Sequence, residues 1–150
     1  MKFEKFLKSC GTHGQIVKVN SGDKWLVCGG VGMIVPKGVI NLLGTGEAGE
    51  ATREIVQGIV YADTDDKVKL TEAYLPADGR PSDIVRVFGK DETRIGIHNS
   101  DYGLLEKSDQ NLAFLEIEDD DLNTFKFLLV LDHLNEVIGF ISSNFTRKFN

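Results

Sequence analysis

The 150-residue chain carries 17 lysine and arginine side chains against 23 aspartate and glutamate side chains, which gives a formal net charge of −6. That length predicts a single domain, residues 1–150, whose core is large enough to fold without disulfide bonds. The acidic balance argues against a surface built to neutralise nucleic-acid phosphates, although a local basic face remains compatible with it. The hydrophobic fraction of 41% and the charged fraction of 27% argue against wholesale disorder.

The first residues do not resemble a secretion signal. Met1–Cys10 is charged throughout and lacks the apolar stretch of a signal peptide. No run approaches the roughly 20 apolar residues that cross a bilayer. Cys10 and Cys28 have no CxxC spacing, so we expect two reduced structural thiols, with a disulfide as the alternative. The sequence therefore predicts a cytoplasmic protein without membrane contact.

The N-terminal part predicts a short helix followed by a small sheet. Apolar side chains recur at i, i+3, i+4 and i+7 over Phe3–Cys10, which is one face of an amphipathic helix. A hairpin turn at Asn20–Asp23 and a bend at Gly29-Gly30 separate three strand-like runs. Those runs are Gln15–Val19, Lys24–Cys28 and Gly32–Val35.

The middle of the chain alternates between helical and extended patterns. Glu50–Val60 has apolar residues at helical spacing and predicts a second helix. An extended segment begins at Val68, and a hairpin joins Ile84–Phe88 to Arg94–His98. Ser100-Asp101 then caps a short third helix, which we expect to carry Leu104 and Leu105.

The C-terminal part predicts further antiparallel strands. Leu112–Ile117 is strand-like, and the apolar runs Phe125–Leu131 and Val137–Ser142 flank a polar turn. Because these two runs are continuously apolar, we expect a hairpin that is buried on both faces. The chain is thus predicted to be an α+β protein dominated by antiparallel β-sheet, with two or three short helices.

Gly44–Gly49 has the sequence Gly-Thr-Gly-Glu-Ala-Gly, which is the G-x-G-x-x-G pattern of dinucleotide-binding loops. It precedes a predicted helix, where glycines would let the backbone approach a pyrophosphate. Glu47 and Glu50, however, place negative charge where the phosphates would lie, and the rest of the chain shows hairpins rather than βα units. We therefore favour a flexible glycine loop, with a nucleotide-binding enzyme that uses Gly44–Gly49 as an alternative.

The sequence offers no catalytic or metal-binding set. His13, His98 and His133 lie in turns or at a strand end, without the spacing of a metal site. Asp63–Asp66 lacks the glycine and the glutamate of a calcium loop. The run His98–Asp101 contains a base, a hydroxyl and a carboxylate, but neighbours on an extended chain point to opposite faces. We predict no catalytic residue, metal ligand or cofactor, and the balance is against an enzyme.

Two features are candidates for contact with another protein. Trp25, the single tryptophan, is either an interface anchor or a core side chain. The other is the acidic block Glu118, Asp119, Asp120 and Asp121. It would bind a basic partner, hold Mg²⁺, or form an ordinary solvated loop.

Two resemblances extend these observations. Phe3–Gly14 (FEKFLKSCGTHG) and Gly22–Pro36 (GDKWLVCGGVGMIVP) resemble small uncharacterised proteins encoded in prophages and related mobile elements of Firmicutes, which implies a bacterial or phage origin. The leading helix, the hairpin that continues through Gly29-Gly30 into Val31–Val35, and the closing hairpin Phe127–Ile141 are similar to one repeat unit of DNA sliding clamps. No functional residue is transferred from either resemblance.

The leading hypothesis is a non-enzymatic, phage- or mobile-element-type domain that acts through protein–protein contact, including self-association. It rests on the missing catalytic signature, the acidic composition and the apolar strands that can pair with another chain. A clamp-like DNA-associated factor with a local basic face is one alternative, and the nucleotide-binding enzyme is the other.

Overall fold

The computed structural model describes residues 1–39, 45–77, 80–118 and 121–143, with the exception of the side chains of residues 74–83. This part of the chain forms a ten-stranded sheet and three short helices, which confirms the α+β prediction. The helices are α1 (Phe3–Cys10), α2 (Glu50–Val60) and α3 (Asn99–Tyr102). The strands are β1 (Gln15–Lys18), β2 (Lys24–Cys28), β3 (Val31–Ile34), β4 (Gly46–Glu47), β5 (Lys67–Ala77), β6 (Arg80–Lys90), β7 (Thr93–His98), β8 (Leu112–Glu118), β9 (Thr124–Leu131) and β10 (Val137–Ser142).

The strands follow the order β4-β1-β2-β3-β10-β9-β8-β5-β6-β7. Each described pairing is antiparallel except that of β4, which runs parallel to β1. The predicted bend between β2 and β3 is confirmed at Gly29 and Gly30, whose φ angles of 59° and 81° lie in the region that favours glycine. The C-terminal hairpin β9–β10 joins the first three strands to the second half of the sheet.

The sheet buries apolar side chains on both faces. A first core lies beneath α1 and takes side chains from β2 and β3 as well as from β7 at the far edge. Since strands from distant positions of the sheet share this core, the sheet curls around it. A second core lies on the opposite face, where Val56 and Ile59 of α2 pack with Trp25 and Phe140.

Strand β9 shows why its sequence is continuously apolar. Leu128 and Val130 point into the first core, whereas Leu129 and Leu131 point into the second. Successive side chains of a strand alternate between faces, so a strand covered on both sides needs apolar residues at every position. The prediction of burial on both faces is confirmed for residues 127–131, whereas Phe125 at the start of the predicted run is 46% exposed.

One glycine inside the sheet has a packing role rather than a turn role. A methyl group at Gly32 of β3 would overlap the ring of Phe140, its neighbour across the β3–β10 ladder. Phe140 in turn stacks on Trp25, with 5.9 Å between ring centroids. The missing side chain at Gly32 therefore makes room for the aromatic pair in the second core.

Candidate functional site

Strand β5 separates from its neighbour β8 after two paired residues. Lys67 lies opposite Ala113 and Val68 lies opposite Leu112, which is the first residue of β8. From Lys69 onward β5 pairs only with β6 among the residues that the structure describes. Beyond Val68, this edge of β5 thus has no strand partner within the described part of the chain.

A cluster of polar side chains holds the point of separation. Lys67 Nζ donates hydrogen bonds to Asn111 Oδ1 at 2.7 Å and to Asn135 Oδ1 at 2.6 Å. Asn111 Nδ2 donates to the backbone oxygen of Asp132 at 2.8 Å and to Asn135 Oδ1 at 2.9 Å. The cluster ties the start of β5, the residue before β8 and the β9–β10 turn together, and so fixes where the two strands part.

The chain before β8 forms a series of tight turns opposite β5. The third helix ends at Tyr102, so the prediction that it carries Leu104 and Leu105 is wrong. The amides of these two leucines donate to the backbone oxygens of Asp101 and Tyr102, each at 3.0 Å, because the chain tightens into turns directly after Gly103. This segment, residues 103–111, leads into β8.

A groove of about 740 Å³ lies between β5 and residues 103–111, and we call it the β5 groove. Its volume falls in the range of ligand-binding clefts. Phe88 and Leu112 are buried beneath it, and Leu70 is 42% exposed along its β5 side. The residues that line it are Lys2, Lys69, Leu70, Phe88, Tyr102, Gly103, Leu105, Glu106, Lys107, Asp109, Gln110 and Leu112.

Tyr102 is held in a defined position within the groove. Its ring centroid lies 6.1 Å from that of Phe88, and the guanidinium carbon of Arg86 lies 5.0 Å from the Tyr102 ring centroid. A cation at this distance is attracted to the face of an aromatic ring. The half-buried Tyr102 ring that lines the groove is therefore held by contacts with Phe88 and Arg86.

The charged residues of the groove are mainly basic. Lys2, Lys69 and Lys107 are exposed lining residues. Of the two acidic lining residues, Asp109 is already engaged: its Oδ2 lies 2.8 Å from the Met1 amino group and accepts the Glu106 amide at 2.8 Å. Three lysines thus face one uncommitted carboxylate, which makes a local basic rim on an acidic protein.

The backbone of β5 also faces the groove. The Asp66 carbonyl oxygen accepts the amide of Phe114 at 2.7 Å, so Asp66 directs its backbone groups toward β8. Backbone groups of alternate residues in an antiparallel strand point to the same side. The backbone N–H and C=O of Val68 therefore also point toward β8. Those of Leu70 point to the same edge of β5, where the described residues provide no strand partner.

The Gly44–Gly49 motif is part of the sheet rather than an open loop. Gly46 and Glu47 form β4, which corrects the prediction of a flexible loop at these two positions, and Gly44 lies outside the described residues. The Gly46 amide donates to the Gly14 oxygen at 3.3 Å, and the Ala48 amide donates to the Ile16 oxygen at 3.0 Å. A phosphate-binding loop offers such amides to its ligand, whereas here strand pairing uses them.

A second cleft of about 720 Å³ lies between the β1–β2 hairpin and the start of α2. Lys18, Lys24 and Arg53 line it together with Glu47. Lys18 and Lys24 lie opposite each other across the hairpin, a juxtaposition that follows from the turn between them. Sequence reasoning did not group these residues, because Arg53 reaches the cleft from α2.

Trp25 lies inside the protein. Its side chain is 0% exposed and packs in the second core, as expected for a core residue. Val56 and Ile59 of α2 pack in the same core, so burial favours the core interpretation, and a role of Trp25 as an interface anchor stays a prediction. Its Nε1 has no hydrogen-bond acceptor within the described part of the chain.

The acidic block remains a surface feature where the structure describes it. Glu118 is exposed at the end of β8, opposite Thr124, and Asp121 is exposed in the following turn. Asp119 and Asp120 lie outside the described residues. Residues 1–39, 45–77, 80–118 and 121–143 contain no group of three or more His, Cys, Asp or Glu side chains placed to hold a metal ion.

Among the described residues, Asp101 and Cys10 have shifted pKa values. Burial raises the pKa of Asp101, and the nearby His98 opposes part of that rise. Burial, together with the neighbouring Cys28 thiol, raises the pKa of Cys10 to about 12. Both cysteines are free thiols, and neither shift places an ionised nucleophile in the β5 groove.

No family model, curated protein or solved structure matches the chain. The resemblances to prophage-encoded proteins and to a clamp repeat unit therefore stay predictions. Within the described residues, no helix has the length and apolar character needed to cross a membrane.

Proposed function

We propose that the chain is a non-enzymatic protein-binding domain and that the β5 groove is its contact surface. The observation that carries the proposal is the loss of strand pairing along β5 directly beside an apolar groove. An unpaired strand edge is a template for another chain, and a desolvated apolar pocket is where interface energy concentrates. The groove offers both in one place.

The groove supports this function better than the features that the sequence suggested. Trp25 is buried, and two amides of the Gly44–Gly49 region are used in pairing with β1. The acidic residues Glu118 and Asp121 are exposed, and neither lines the β5 groove or the second cleft. Leu70, in contrast, combines an exposed apolar side chain with backbone groups that face an open edge.

The test is selection of a random peptide library on the immobilised chain, followed by affinity measurement on two variants. Leu70→Glu puts a charge into the groove, whereas Leu134→Glu makes the same change at a residue that is 66% exposed in the β9–β10 turn. We expect selected peptides to bind the wild type and Leu134→Glu and to lose at least about tenfold in affinity for Leu70→Glu. Selection of no peptide, or equal affinity for all three proteins, would contradict the proposal.

A further inference from the structure

Building on the proposed function, we infer that the partner segment is an extended acidic peptide that joins the sheet as an added strand along β5. The peptide would lie beside Lys69 and Leu70 of β5, where the described residues provide no strand partner on the β8 side. Three independent features of the groove lead to this partner: the backbone direction at Leu70, the period of the apolar surface and the charge of the rim.

The first feature is the backbone of β5 at Leu70, which directly precedes a bulge. The β5–β6 register shifts between Leu70 and Tyr74, where Thr71 Oγ1 donates to the Val87 oxygen at 2.8 Å and accepts the Ala73 amide at 3.2 Å. The hydroxyl thus replaces a backbone donor and forms a bulge, a device that bends a strand and redirects its edge. Lys69 and Leu70, which precede the bulge, are the part of the edge that lines the groove.

The second feature is the arrangement of the apolar surface. Leu70 is flanked by Phe88 across the strand pair and by Leu112 at the start of β8. A strand added beside Leu70 would direct every second side chain onto this surface, because side chains of a strand alternate with a period of two. The partner therefore needs apolar residues at alternate positions.

The third feature is charge complementarity. Lys69 stands on the β5 side of the groove, and Lys2 and Lys107 line it as well. Asp109 is neutralised by the Met1 amino group, so Glu106 alone opposes these lysines among the lining residues. The attraction selects a partner with acidic residues between its apolar ones, and repels a basic one.

The test uses three fluorescein-labelled peptides with the full-length chain. One peptide alternates glutamate and valine, the second has lysine in place of glutamate, and the third repeats the first with N-methylated amides along one edge. We expect the acidic peptide to bind, with affinity that falls as salt is added, and the other two to bind at least about tenfold more weakly.

Charge-matched variants locate the binding. Lys69→Glu combined with Lys107→Glu should lower the affinity for the acidic peptide at least about tenfold. Lys37→Glu combined with Lys90→Glu changes the net charge by the same amount at exposed residues outside the groove, and should leave the affinity unchanged. Urea unfolding of both variants checks that each remains folded.

The outcomes separate the inference from the proposed function. If the lysine peptide binds as tightly as the acidic peptide, the inference of an acidic partner is overturned. If the N-methylated peptide binds as tightly, strand addition is overturned. Peptides of another composition selected from the library would still support the groove as a protein-binding site. Displacement of the acidic peptide by decanoate at lower concentration than by unlabelled peptide would assign the groove to small amphipathic anions. Self-association abolished by Leu70→Glu would assign it to a second copy of the chain. Either result overturns the inference.

Discussion

Leu70 and Phe88 lie opposite each other on β5 and β6, yet Phe88 is 1% exposed and Leu70 is 42% exposed. Opposite residues of an antiparallel pair project from the same face of a sheet, so they are normally covered together. Here the first core and Tyr102 cover Phe88. The pairing between β5 and β8 stops at Val68, so β8 does not cover Leu70. The difference in exposure marks the place where a further strand fits.

This difference predicts that position 70 tolerates a charge in the free chain. Leu70→Glu should change the free energy of unfolding by no more than about 0.5 kcal/mol, as at other exposed sites. Val68→Glu, two residues earlier, should destabilise strongly because Val68 is buried in the first core. Urea denaturation followed by circular dichroism measures both. Similar losses for the two variants would mean that Leu70 is a core residue.

The core position of Trp25 predicts a large cost of truncation. Trp25→Ala should lower the free energy of unfolding by about 3–5 kcal/mol, because it removes a fully buried ring that stacks on Phe140. Trp25→Phe should cost less, since it keeps a ring and removes the Nε1 donor that has no acceptor among the described residues. Chemical denaturation of both variants tests this. An unchanged Trp25→Ala midpoint would restore the interface-anchor interpretation.

The close approach of Phe140 to Gly32 predicts opposite effects for two glycine-to-alanine changes. Gly32→Ala should destabilise by about 1–3 kcal/mol, because the methyl group overlaps the Phe140 ring. Gly58→Ala, inside α2, meets no atom within 4 Å and should stabilise by roughly 0.5–1 kcal/mol through helix propensity. Thermal unfolding compares them directly. Equal shifts of the same sign would show that Gly32 is not a packing site.

The raised pKa of Cys10 predicts how stability changes in alkaline solution. The ordinary value is 9.0 and the folded value is about 12. Between pH 9 and pH 12 the Cys10 thiol keeps its proton in the folded chain but loses it in the unfolded chain. The free energy of unfolding should therefore fall as the pH rises from 9 toward 12. The fall should be smaller in Cys10→Ala, measured as the urea midpoint across the same window. Identical pH profiles for the two proteins would contradict the assignment.

The sequence predicts the local elements better than the site. Apolar spacing marks α2 from Glu50 to Val60, as observed, and the glycine pair marks the bend between β2 and β3. These features depend on neighbouring residues, which a sequence displays directly. Trp25 stays ambiguous at that level, because the strand pattern does not say which faces of β2 are covered.

The β5 groove could not be predicted in this way. It exists because Lys67, Asn111 and Asn135, which come from three separated segments, meet where β5 parts from β8. Each is an ordinary polar residue in its own segment, and only the strand order brings them together. The Lys18 and Lys24 pair, in contrast, follows from the hairpin turn alone.

The most direct test of strand addition at β5 is amide hydrogen exchange at Leu70, read by NMR with and without the alternating glutamate–valine peptide. We predict that the Leu70 amide exchanges freely in the unbound chain and becomes protected when the peptide binds, with chemical-shift changes at Lys69 and Leu112. A bound peptide that leaves Leu70 unprotected and shifts the residues around Glu118 and Asp121 instead would contradict this prediction.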